Sequence, residues 1–245
     1  MASVNQVYMA LKDLVNKDQR GFVTPATFNN FAQIAQLNIY NQLFTELELA
    51  KRARLRNTDP KGHASRIKQI EEDLSRFSKT GTISQVDGVF AKPDDLSKII
   101  AATTFGSIIL GQSTRVNIPL VYDESKIDYI LLSDLSRPTD TAPVGLVSND
   151  IEVFPSSIKK IRLTYYKYPE GLVPSTGART ASTPRFGYTT VAGKEVYSAT
   201  NSIDFELPDH YFAELVIEIA KLIGINLRDV DVYNFSKGEE AKSLQ

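Results

Sequence analysis

The sequence predicts an α+β fold: an N-terminal helical hairpin or bundle, a strand-rich middle module, and a buried C-terminal helix that returns to the helical part. Three observations predict it. Apolar residues recur at three- and four-residue spacing through residues 1–81, short alternating runs replace them over 82–200, and Phe212–Ile223 is apolar on nearly every side. The matching divisions are a helical part (1–81), a strand-rich module (82–200), and a C-terminal helix with its tail (201–245).

The first helix follows from Val4, Val7, Tyr8, Leu11, Leu14 and Val15, with Ser3 and Gln6 in capping-box spacing at its start. Thr24-Pro25 reads as an N-cap followed by proline at the first helical position. From there Phe28, Phe31, Ala32, Ala35, Ile39, Leu43, Leu47 and Ala50 mark one face as far as Arg56. At 1.5 Å per residue that helix spans roughly 45–50 Å. Asn57-Thr58-Asp59-Pro60 breaks it. A third helix then carries Ala64, Ile67, Ile70, Leu74 and Phe77 inward, with Gly81 near its end. The pair forms a hairpin whose tip is basic: Lys51, Arg52, Arg54, Arg56, Lys61, Arg66 and Lys68, against Asp59 alone. Such a run is either a solvated tip or a surface facing DNA or an acidic partner. It has no interleaved aromatics for stacking on single strands.

Strands are predicted at Ile83–Phe90, Leu96–Ala102, Ser107–Leu110, Thr114–Ile118, Ile151–Phe154, Ile158–Tyr168, Tyr188–Val191 and Glu195–Tyr197. Ile158–Tyr168 has the clearest alternation, with Ile161, Leu163 and Tyr165 on one face and Arg162, Thr164 and Tyr166 on the other. Asp123–Leu132 reads as a short helix with Ile127, Ile130 and Leu131 inward. Ser136–Pro143 and Glu170–Arg185 are loops. The second, including Thr176, Arg179 and Arg185, is long enough to order against a partner. The last helix opens at Leu207-Pro208-Asp209 and runs to Ile223, with Gly224 as its terminator and Glu214, Glu218 and Lys221 on one stripe.

The composition narrows the function. A formal net charge of -1 is unlike a general nucleic-acid coat, and Cys 0 removes disulfides, thiol nucleophiles and thiolate metal sites. No secretory leader and no membrane span are read, so a soluble protein is expected. No phosphate-loop, dinucleotide-binding or nucleophile-elbow motif is present. Only two histidines exist. His63 is placed in an interhelical turn, and His210 stands four residues before Glu214 without further ligands, which favours a capping or surface role over zinc. Glu71-Glu72-Asp73 are consecutive on a helix and diverge, and Asp94-Asp95 reads as a cap. No catalytic, metal or cofactor residues are assigned and no cofactor is expected. The eleven tyrosines are amphipathic strand residues or a sugar- or protein-contacting surface.

Several ordered segments resemble the head-to-tail connector and ring proteins of tailed bacteriophages, most like those of short-tailed, crAss-like phages. The opening Val4-Asn5-Gln6-Val7-Tyr8, Asn16-Lys17-Asp18-Gln19-Arg20-Gly21 and Thr24-Pro25-Ala26-Thr27-Phe28-Asn29 resembles their start. Ile151-Glu152-Val153-Phe154-Pro155 and Leu163-Thr164-Tyr165-Tyr166-Lys167-Tyr168-Pro169 resemble their central strand pair. Ser202-Ile203-Asp204-Phe205-Glu206-Leu207-Pro208 with Ile217–Asp229 resembles their closing block. The resemblance implies a non-enzymatic virion protein assembled in the host cytoplasm. It implies a homo-oligomeric, twelvefold ring beneath a portal protein or within a tail barrel, beside neighbouring ring or tail proteins. Genome DNA would pass through the lumen without sequence-specific binding, and no membrane is involved. The alternative is a carbohydrate- or receptor-binding module of a phage tail.

Overall fold

The computed structural model describes residues 1–17, 23–55, 60–109, 112–169, 183–191 and 194–226. Among them the fold is mixed α+β, with helices at both chain ends and strands between. The helices are α1 (Val4–Lys17), α2 (Pro25–Leu55), α3 (Pro60–Ser75), α4 (Glu124–Leu132) and α5 (Phe212–Asn226). The strands are β1 (Ser78–Ser84), β2 (Val89–Phe90), β3 (Leu96–Ile109), β4 (Gln112–Ile118), β5 (Leu120–Val121), β6 (Val144–Val147), β7 (Ile151–Phe154), β8 (Lys160–Lys167), β9 (Tyr188–Val191) and β10 (Lys194–Tyr197). The chain divides into two compact units, Met1–Leu74 with Pro169–Gln245, and Ser75–Tyr168. Those divisions fall at 74 and 168, where the sequence placed them at 81 and 200.

In the first unit α5 packs against α1 and α2, and ion pairs tie α2 to α3. Thr24 caps α2 through its Oγ1, which accepts from the Thr27 N–H at 3.2 Å. Phe28, Ala32, Ala35, Ile39, Leu43, Leu47 and Ala50 of the predicted face are buried, while Phe31 at its edge is only half-buried. The cap of α1 comes from far along the chain: the Val4 N–H donates to Asp204 Oδ1 at 2.8 Å. Beside it, Ala2 exchanges backbone bonds with Phe205 and Leu207 at 3.1 and 2.9 Å. Asn29 clasps Phe186 in the same manner, accepting from its N–H at 2.7 Å and donating to its C=O at 3.2 Å. The Phe186 ring then packs on Tyr8 with centroids 4.2 Å apart, and Tyr8 donates to the Val23 carbonyl. These ties explain why residues 183–209 belong with the helices rather than with the central strands.

Two predicted helix ends are corrected. α3 stops at Ser75, and Gly81 lies within β1, because residues 78–84 pair with β8 instead of continuing the helix. Phe77 is buried, as expected, but just past the helix. At the C-terminal end α5 continues through Gly224 to Asn226, so that glycine is no terminator. Leu215, Ile219, Ala220 and Ile223 are fully buried on α5, while Val216, Ile217 and Leu222 are half-covered. His63 lies in the first turn of α3 rather than in a connecting turn.

The second unit holds two four-stranded sheets, ordered β1-β8-β3-β4 and β2-β7-β6-β5. They share a core of Phe90, Ala102, Ile118, Ile151, Val153, Ile161, Leu163 and Tyr165 with neighbouring apolar residues. The predicted strand Ile83–Phe90 is broken in two. Asp87 and Gly88 both take positive φ (51° and 92°), and Val86 bridges Val89, so an Asp-Gly hairpin turn separates β1 from β2. Leu96–Ala102 and Ser107–Leu110 instead merge into one strand, because β3 is paired on both sides and absorbs its irregularities as register shifts. β6 was not anticipated: it sits among turn residues, and its Gly145 is needed for close approach. A Cβ there would lie 2.9 Å from the Leu120 side chain.

Gly187 is more constrained still, since a Cβ would sit 2.4 Å from the Asn201 carbonyl carbon. Gly187→Ala is therefore expected to cost about 1–3 kcal/mol. Urea unfolding checks this; an unchanged midpoint would contradict the close approach.

Candidate functional site

The basic hairpin was the leading candidate surface, and most of its charge is neutralised where it stands. Lys51 pairs with Glu71 at 3.1 Å and Arg66 with Glu46 at 3.0 Å, each bond crossing from α2 to α3. Arg52 pairs with Glu48 and Lys68 with Glu72, both at 3.7 Å along one helix. Arg54 is exposed in the last turn of α2. Arg56 lies outside the described residues, as does the Lys61 side chain. Exposed pairs of this kind contribute roughly 0–1 kcal/mol each, so they orient the hairpin more than they stabilise it. Thr176 and Arg179, from the candidate partner-ordered loop, also lie outside the described residues. Arg185 is exposed, but its guanidinium donates twice to the Asn201 carbonyl, at 3.2 and 3.0 Å, and its backbone bridges Ile203.

The glutamate-aspartate run diverges as the helix geometry requires. Glu71 faces Lys51, Glu72 faces Lys68, and Asp73 turns inward to the short 3-10 turn Asp209–Tyr211. Asp73 Oδ2 accepts from Tyr211 Oη at 3.0 Å and lies 3.1 Å from His210 Nε2. This pairing was invisible in the sequence because 137 residues separate His210 from its partner. The knot borders an open cleft of about 550 Å³ lined by Glu46, Ser65, Arg66, Gln69, His210 and Glu214, with Ile70 and Tyr211 completing it. Burial, then the Asp73 hydrogen bond and charge, push the Tyr211 phenol far above its ordinary range. Partial loss of water raises the Glu214 carboxyl, Glu46 raises it further, and His210 and Arg66 oppose both.

Chemically the cleft holds a tethered imidazole. Ser65 lines it, but among the described residues no hydrogen bond joins Ser65 to His210, so the nucleophile-base contact of a hydrolytic triad is not formed. Among the described residues there is likewise no group of three or more His, Asp or Glu placed to hold a metal ion. His210 and Glu214 do reach the same cleft, as their spacing allowed.

A different surface is more distinctive. α4 is capped by Asp123, whose Oδ1 accepts from the Ser125 N–H, and it buries Ile127. Ile130 and Leu131 are half-buried. The opposite side carries Tyr129 and Leu132 at 77% and 83% exposure, and Tyr122 and Leu135, just outside the helix at its two ends, are 69% and 97% exposed. Within the helix, the three-residue spacing of Tyr129 and Leu132 was a readable signal of an apolar pair facing away from Ile127. No helix among the described residues is long and apolar enough to cross a membrane.

No protein-family model matches the chain, and a search of curated proteins finds no match either.

Glu214 generates a prediction whose sign can be worked out. Its folded pKa is raised, so the folded state holds the proton more tightly and stability falls as pH rises through the folded pKa. Glu214→Gln cannot ionise and is expected to raise the melting temperature near pH 7. At about pH 4 or below the two proteins are expected to melt together, since the native glutamate is then protonated as well. A variant less stable at neutral pH would contradict this account.

Proposed function

We propose that the chain is a non-enzymatic structural protein of a tailed-phage virion. It forms a ring in the portal-proximal neck or tail barrel and joins head to tail around the DNA channel. The observation that carries the reading is the exposed apolar residues in and flanking α4: Tyr122, Tyr129, Leu132 and Leu135 are each more than two-thirds exposed. Large apolar side chains left exposed this close together in the chain support a surface that another chain covers. A patch present once per subunit, met by a different patch on the next, makes a heterologous contact that closes into a ring when its rotation permits. The ordered likeness to phage connectors supplies the particular setting, with a portal and adjoining ring or tail proteins as partners. A second reading draws on Tyr122 and Tyr129 as a platform for sugar rings, which stack on exposed aromatics. A glycan array separates the two, since only the second expects hits.

Native mass spectrometry and electron microscopy of the purified protein are expected to show ring-sized oligomers, alone or with a portal. Leu132→Asp with Leu135→Asp is expected to weaken that assembly by about tenfold or more without lowering the melting temperature. A protein that stays monomeric at every concentration, and never joins a portal-containing particle, overturns the proposal.

A further inference from the structure

The register of the β1-β8-β3-β4 sheet sorts its residues into two faces. Ile161, Leu163, Tyr165, Ala102 and Ile118 point into the core. The reverse face is built in rows across the strands. One row aligns Thr82, Arg162, Thr103 and Asn117, and Phe105 stands opposite Arg115 in the next. Ser84 pairs with Lys160, Thr80 with Thr164, and Ser78 and Lys98 both flank Tyr166. The cations of this face are Lys98, Arg115, Lys160 and Arg162, and the rows contain no carboxylate. Arg115, Lys160 and Lys98 are exposed, as are the four β1 hydroxyls, while Arg162 is half-exposed. Phe105 is 49% exposed among them. Arg115, Lys160 and Arg162 have no ion pair among the described residues. The hairpin cations Lys51, Arg52, Arg66 and Lys68 are each held by a glutamate.

We infer that this sheet face binds the phosphodiester backbone of nucleic acid, without reading its sequence. Charge complementarity selects a polyanion. The repeating donor array narrows it further: hydroxyls and cations recur about 4.8 Å apart across strands and about 6.8 Å apart along them. That array suits a chain of evenly repeating anions better than the scattered carboxylates of an acidic protein. Arg, Lys, Ser and Thr are the usual donors to phosphate oxygens, and they fix position without specifying bases. Few such contacts give weak, salt-sensitive binding, which lets a strand move. The inference rests on one sheet and not on ring formation, so it goes beyond the assembly proposed above and stands or falls separately.

Anisotropy of labelled single-stranded and duplex oligonucleotides, titrated with the full chain across a salt series, tests it. Arg115→Glu with Arg162→Glu is expected to weaken binding about tenfold or more and to flatten the log–log salt slope by about 2. Arg115→Gln with Lys160→Gln, at two exposed positions, is expected to flatten it equally with an unchanged melting temperature, which keeps the test valid if the reversal fails to fold. Lys51→Gln with Arg52→Gln is expected to bind as the native chain does. The inference is overturned by sheet variants that bind normally, by loss confined to the hairpin variant, or by binding of polyglutamate but of neither oligonucleotide. The oligomeric state, read by native mass spectrometry on the same samples, reports on ring assembly independently.

Discussion

The second unit depends on the two-residue period of β8. Once Ile161, Leu163 and Tyr165 are required in the core, Arg162, Thr164 and Tyr166 must face the other way, because alternate side chains leave opposite sides of a strand. β8 lies between β1 and β3, so its neighbours inherit the same division through their register. A slip of one residue would bury Arg162 and expose Leu163. Asp95 adds a polar brace at one end of this frame. Its carboxylate takes hydrogen bonds from Lys79 and Tyr165, both at 2.8 Å. Burial alone would raise its pKa, yet those two hydrogen bonds hold it below the usual carboxylate range.

The first unit is organised differently, by ties between distant parts of the chain. Its N-terminal helix begins where Asp204 caps it, and Asn29 holds Phe186 as a strand partner would. Buried Gln36 accepts from the Glu206 N–H, and Asn38 donates to Glu218 at 2.7 Å, drawing α2 against the closing segment and α5. The bonds of Asp204, Asn29 and Gln36 satisfy backbone groups that packing partly strips of water. The Asp73 knot with His210 and Tyr211 belongs to the same scheme, joining α3 to the turn before α5. Asp73, buried and within hydrogen-bond distance of both His210 and Tyr211, braces this junction.

Charge takes two forms in this protein. On the hairpin, glutamates pair with Lys51, Arg52, Arg66 and Lys68, two across the helices and two one turn away on the same helix. On the open sheet face, cations stand among hydroxyls with no carboxylate in their rows, and their field reaches outward. Apolar surface divides likewise: most large apolar residues are buried, while α4 turns Tyr129 and Leu132 outward. A chain near electrical neutrality can thus carry a local cationic face and exposed apolar residues around one short helix.

Much of the fold was legible in residue order. The α1 and α2 faces, the Thr24 cap, the α4 helix and its Asp123 start, and the strands β7 and β9 all follow from local period and turn chemistry. The Asp-Gly turn at 87–88 was equally local, though an apolar run concealed it. Where α3 ends, that β3 continues through Thr103–Gly106, and that β6 exists were settled by partners distant in sequence, since a strand's backbone groups are satisfied only by another strand. The same reason governs the surfaces. The sequence determined which residues alternate along β8 and how many basic residues the hairpin carries. Tertiary structure alone decided which cations meet a carboxylate and which stand unopposed, because ion pairing depends on distances of a few ångströms between elements that the linear order does not place together.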